Sequence, residues 1–200
     1  ETQGFHRTGT DVDQVSGEWL MDQVRAAGLV PTKETFSIAR VDPVTSSLTA
    51  NGRQLTGLPL FDGGFTGPDG VRGRLGNLES DAPIGLTEVA PNTAEVGPLG
   101  DARRQNRHQA IVVVARGARP GLCPSNAESF LRPFGPPVLQ VSSEEAPFLI
   151  DCARQGLPTV VKAYVKRTQA EAFNVTATIQ GTNREALPLV VMTPRSGWWS

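Results

Sequence analysis

The sequence predicts an α/β chain rich in short strands, on three observations. Its first segment carries one apolar stripe at helical spacing. Later, short β-branched and aliphatic runs lie between turn formers. Gly and Pro are dense, 21 and 16 in 200 residues, which opposes a helical bundle or coiled coil and favours strands joined by turns.

The helix comes first. Val12, Val15, Trp19, Leu20, Val24 and Ala27 recur at three- and four-residue spacing. Thr10 or Asp11 is placed to cap its start, with acidic Asp11 and Asp13 at the positive end of the dipole. Arg25 falls in the last turn, Gly28 suits the left-handed position after it, and Pro31 stops the element. Residues 35–41 then read as a strand. From Asp42 to about Gly100 helical periodicity is absent. Leu48 to Ala50 followed by Asn51-Gly52 predicts a hairpin, because both turn residues tolerate positive φ. Short apolar pieces follow at 58–61 and 71–78.

The run 110–115 is short, β-branched and wholly apolar, as expected of a buried central strand. Another such run occupies 138–141. Ser143 is expected to cap a helix carrying Phe148, Leu149, Cys152 and Ala153 on one face and ending at Gly156. Residues 159–165 alternate as a half-exposed strand, residues 174–179 do likewise, and 187–192 reads as a buried strand. No repeat of 20 to 50 residues is visible.

Charge and cysteine content exclude several classes of function. A net charge of -1 opposes a broad nucleic-acid or anionic-membrane footprint. The longest unbroken apolar run is far short of the roughly 20 residues needed to span a bilayer, and no signal-peptide pattern opens the chain. Cys123 and Cys152 form neither a disulfide-rich scaffold nor a metal knuckle; one bridge or two free buried thiols both fit. Arginine far outnumbers lysine, which is read as codon bias, and the chain as bacterial in type. It starts at Glu1 without Met and stops on Trp198-Trp199-Ser200 after an apolar run, and so reads as the front part of a longer protein.

Three segments together resemble one family. Arg7-Thr8-Gly9-Thr10, the amphipathic helix, Gly28-Leu29 and the strand containing Phe36 are similar to the N-terminal edge of co-catalytic zinc aminopeptidases. Phe173 to Thr182, followed by Pro188 and Leu189 to Met192, resembles that family's "N-V-x-A-x-I-x-G-T" strand and turn with the apolar strand after it. Between them, Ala110 to Gly117, Gly135 to Ser143 and the helix ending at Gly156 resemble a protease-associated domain, a β-rich module the family often carries as an insertion. The resemblance implies a mixed α/β hydrolase-type sheet from residues 1–44 and 170–200, interrupted by a protease-associated-like domain at 45–169. It further implies a peptidase acting on a peptide or small amide, and a sheet that unites 35–41, 174–179 and 187–192 with the first helix packed on it.

One departure bears on chemistry. In the family, the strand matching 189–192 leads into a His-x-Asp that supplies a zinc ligand and its supporting acid. Here Arg195 stands at the His position and Gly197 at the Asp position. A guanidinium has no lone pair for a metal and repels it. No metal ligand is therefore expected in this chain, and zinc would require ligands beyond Ser200. Arg195, Ser196 and Trp198 are the candidate substrate-binding residues. Arg195 offers a fork of donors for a carboxylate or phosphate, or pairs with a local acid. Trp198 with Trp199 offers an apolar wall. Ser196 follows the strand on a tight turn, but Pro194 and Trp198 fit a nucleophile elbow poorly. His6 and His108 lack partners at ligand spacing and read as solvated loop residues; Cys123 lacks a nearby base. A catalytically inactive relative serving as a binding module is the alternative.

Overall fold

The computed structural model describes residues 7–91, 93–183 and 185–195. The chain divides into two compact units, Glu1–Arg40 with Arg167–Ser200, and Val41–Lys166. The division falls inside two long strands, β1 (Thr32–Ala50) and β7 (Pro158–Thr176).

In the first unit, helix α1 spans Asp11–Ala26. Thr10 is its cap: the side-chain oxygen accepts the Asp13 N–H, leaving one fewer orphan donor at the start. The buried face differs from the apolar stripe. Asp13, Ser16, Gly17 and Met21 are buried, whereas Val15 and Trp19 are 57% and 58% exposed. Small side chains on this face let the helix approach Phe173 closely, and Asp13 meets a guanidinium there, so contact geometry outweighs hydropathy.

The strands expected late in the chain are corrected. β7 stops at Thr176, within the 174–179 segment, and 187–192 forms no strand. Leu187, Leu189 and Met192 are 90% or more exposed. An apolar run of this kind is stable as a strand only with ladder partners on its edges and packing on its faces. Among the described residues it has neither, so the expected three-stranded sheet with 35–41 does not form.

The second unit contains β2 (Arg53–Pro59), β3 (Val71–Asn77), β4 (Ile84–Val89), β5 (Ala110–Ala115) and β6 (Val138–Val141), with helices α2 (Gly97–Arg104) and α3 (Ala146–Gln155). The strand order is a closed barrel, β1-β2-β6-β5-β4-β3-β7. β3, β4, β5 and β6 run parallel as successive neighbours; the β1–β2, β2–β6 and β3–β7 pairs are antiparallel. The hairpin between β1 and β2 turns at Asn51-Gly52, with φ of 46° and 72°, and pairs Ala50 with Arg53.

β5 shows why the parallel part is so apolar. Its side chains alternate between two cores. Val112 and Val114 join Leu48, Leu75, Leu139 and Leu149, which packs α3 onto the sheet. Ile111 and Val113 join Leu60, Leu78, Leu99 and Ala102, which packs α2 on the other face. A strand covered on both faces carries no polar alternation. β4 and α2 were missed because Gly85, Thr87, Gly97, Pro98 and Gly100 break the apolar pattern in this Gly- and Pro-rich stretch. A 3-10 turn, Ser143–Glu145, precedes α3, and Ser142 rather than Ser143 supplies the capping oxygen, to Glu144 N–H.

Candidate functional site

The two units hold two separate polar centres, each described within its own unit. The first surrounds Arg195, on the coil that follows the exposed apolar run. Its Nη1 lies 2.7 Å from Asp13 Oδ1 and also donates to the Asp13 carbonyl, and its Nη2 donates to the Phe173 carbonyl at 2.9 Å. The guanidinium lies over the Phe173 ring, 4.5 Å from its centroid, and Lys33 Nζ stands 4.0 Å from the same centroid. Asp13 is itself fixed, because its Oδ2 accepts the Gly9 N–H at 2.9 Å. Gly17 makes this packing possible: a Cβ there would meet Phe173 Cζ at 2.1 Å. Asp13, Phe173 and Arg195 line a concavity of about 1610 Å³ together with Phe36, Leu189 and Met192.

These contacts engage both terminal nitrogens of Arg195 with one carboxylate and two backbone carbonyls, and its side chain is 15% exposed. Ser196 and Trp198, the other two residues singled out from the sequence, lie outside the described residues, as does His6. A metal ion does not fit around Arg195, because Asp13, the acid facing the concavity, is paired with that guanidinium. Among the described residues no group of three His, Cys, Asp or Glu side chains converges.

The second centre was not legible in the sequence. Arg103, near the end of α2, is fully buried, and so is Asp62. Their side chains meet at 2.7 Å. Arg103 also donates to the carbonyls of Ala94 at 2.8 Å and Asp62 at 3.0 Å, and lies 4.0 Å from the centroid of Phe134. Ser129 N–H donates to Asp62 Oδ2 at 3.3 Å, and Phe134 N–H to the Asp62 carbonyl at 2.9 Å. Burial pushes the Asp62 carboxyl above the usual carboxylate range, more than the Arg103 charge lowers it; the Glu95 carboxyl acts in the same upward direction. Glu95 goes the other way, held low chiefly by its hydrogen bond with the Ser129 side chain. The centre anchors the long 116–137 connection rather than opening to solvent. Arg103 lies with Arg104 and Arg107 in one short basic stretch, and no sequence signal separates it from its neighbours.

His108 is also corrected. It is 4% exposed, not solvated, with Nδ1 2.7 Å from the Ala82 carbonyl and Nε2 2.8 Å from the Leu78 carbonyl. It closes the 78–82 turn and offers no ring nitrogen to a metal. Cys123 and Cys152 are free thiols, the first half-buried and the second buried.

The chain has an α/β fold similar to that of solved aminopeptidases. A zinc aminopeptidase from Bacillus subtilis (BSAP) superposes with a TM-score of 0.68 at 17% identity, covering 92% of this chain and 45% of that one. An aminopeptidase from Aneurinibacillus sp. strain AM-1 gives 0.59 at 14% identity over 89% of this chain, and a peptidase M28 precursor from Shewanella amazonensis gives 0.55 at 13% over 84%; 45% of each is covered. The chain therefore spans less than half the length of the solved structures it matches. No family model matches the sequence, and no curated protein matches it significantly. No helix among the described residues is long and apolar enough to cross a membrane.

Proposed function

We propose that this chain is the N-terminal portion of a peptidase- or aminopeptidase-like hydrolase acting on a peptide or small amide, with residues 45–169 forming a protease-associated-like module and with an altered metal site. The observation that carries the reading is the fold likeness to zinc aminopeptidases over 92% of the chain. It is supported by the order of the sequence segments that resemble that family. In this reading the exposed run 187–192, without strand structure here, gains ladder partners from the remainder of the hydrolase domain. Arg195 acts as a positioning residue: by binding Asp13 and the Phe173 carbonyl it fixes the coil that leaves this strand. Ser196 and Trp198 remain the proposed substrate contacts, on the residues that follow.

A second reading has its own support. By the sequence resemblance Arg195 stands at the position of a metal-binding imidazole, and its pairing with Asp13 supports an inactive relative that binds a protein or ligand without cleaving it. The experiment uses the full gene product, its ends defined by intact mass and terminal sequencing. Release of 4-nitroaniline from aminoacyl-4-nitroanilides, lost with the affinity-purified activity on immunodepletion, is the result expected for the hydrolase. Binding of the same compounds without turnover overturns it in favour of the binding module.

A further inference from the structure

A cleft of about 490 Å³ lies in the second unit where the β1–β2 turn stands beside the paired ends of β3 and β7. Thr49, Asn51, Arg72, Arg74 and Thr159 contribute its polar side chains, and no Asp or Glu lines it. Arg72 and Arg74 alternate along β3 and point away from the core, since Leu75 and Val71 occupy the inward positions. Arg72 has no ion-pair or hydrogen-bond partner among the described residues. Arg74 has one weak one, Asp81 at 4.0 Å, with that carboxylate 96% exposed. By contrast, Arg53, Arg104 and Arg116 in the same unit hold carboxylates at hydrogen-bond distance. Two guanidiniums are thus left unneutralised in a concave surface of their own.

We propose that this cleft binds an acidic peptide in extended conformation, with two carboxylates one residue apart. Residues i and i+2 of a strand project on the same side about 6.5 Å apart. An extended peptide has the same repeat, so alternate carboxylates meet Arg72 and Arg74 in register, each able to accept a forked pair of hydrogen bonds. The turn side of the cleft supplies neutral polar groups, Thr49 and Asn51, suited to the peptide backbone. This site is distinct from the Arg195 centre and requires no hydrolysis.

The test is fluorescence anisotropy with a fluorescein-labelled pentapeptide bearing glutamates at its second and fourth positions, titrated with the full gene product at low salt. The expected result is saturable binding, weakened at least ten-fold for the peptide with both glutamates replaced by glutamine, for the isomer with adjacent glutamates, and for the R72Q/R74Q variant. The charge-matched R119Q/R132Q variant binds within two-fold of the parent. Amide shifts of residues 49–52 and 159–160 in the parent protein, on adding unlabelled peptide, locate the site without reliance on any variant. Equal loss in both double variants, equal binding of the isomer, shifts elsewhere, or inorganic phosphate displacing the peptide at equal concentration would overturn the proposal.

Discussion

The Arg103 guanidinium and the Asp62 carboxylate meet at 2.7 Å with both side chains wholly out of solvent. Around them Arg103 gathers the carbonyls of Ala94 and Asp62, and Asp62 gathers the N–H groups of Ser129 and Phe134. Three connecting loops are thereby tied to the end of α2. A connection as long as 116–137 without helix or strand is uncommon in a compact unit, and this pair anchors it at Ser129 and Phe134, beside the Gly121–Ser143 and Ser125–Gln140 hydrogen bonds.

Removing one partner of such a pair leaves the other buried and uncompensated. Arg103→Met is therefore expected to destabilise the protein by about 3–5 kcal/mol, and Asp62→Ala by a similar amount. The double variant should lose clearly less than the sum of the two. Urea unfolding followed by circular dichroism measures all three; strict additivity would show that the two residues do not act as a pair.

The same carboxylate makes stability depend on pH. Asp62 has a folded pKa raised above its ordinary 3.8, mainly by burial. Its contribution is thus complete below 3.8 and is lost as pH rises through the folded value. Glu95 is lowered from 4.5, so its contribution is present above 4.5 and lost as pH falls through its folded value. Asp62→Asn removes the Asp62 limb, so wild-type stability should decline relative to the variant as pH is raised from 3.8 through the folded Asp62 value. Parallel stability curves for the two proteins would contradict this.

Local signals were legible where a residue's own chemistry decides the backbone. Thr10 at the helix start, the Asn51-Gly52 turn and the β-branched run of β5 each specify one conformation within a few residues. The same logic misled at 187–192, whose apolar pattern encodes a strand but cannot supply the ladder partners a strand needs. It also misled on α1, where Gly17 and Asp13 rather than Val15 and Trp19 face inward. Contacts between residues more than 40 apart, such as Asp62 with Arg103, leave no periodic trace. At the candidate site, Arg195 stood out as a departure from the motif this segment resembles, but its partner Asp13 read only as a favourable charge at a helix start.

The two thiols should differ sharply in reactivity. Burial, reinforced by the neighbouring Asp151 charge, pushes the Cys152 thiol above its ordinary range, so the thiolate is scarce at neutral pH as well as shielded. Cys123 is partly accessible. Iodoacetamide at pH 8 followed by peptide mass mapping is expected to label Cys123 in the folded protein and Cys152 only after unfolding. Equal labelling rates in the native state would refute the burial argument.

Gly17 is the point at which α1 admits the Phe173 ring that Arg195 and Lys33 flank. A methyl group there would lie 2.1 Å from Cζ, well inside any tolerated contact. Helix propensity alone favours alanine over glycine by up to about 1 kcal/mol. Overpacking works against it and typically costs about 1–3 kcal/mol. Gly17→Ala should therefore lower the thermal midpoint despite being the better helix former, and Phe173→Leu in the same chain should restore part of the loss by vacating the ring volume. The readout that separates this from a general helix effect is the Arg195 contact. Displacing the ring disturbs the Phe173 carbonyl that accepts from Nη2, so the arginine side-chain proton resonances should shift in Gly17→Ala and return toward the parent positions in the double variant. A rise in the thermal midpoint for Gly17→Ala would mean that α1 does not seat on Phe173 in solution.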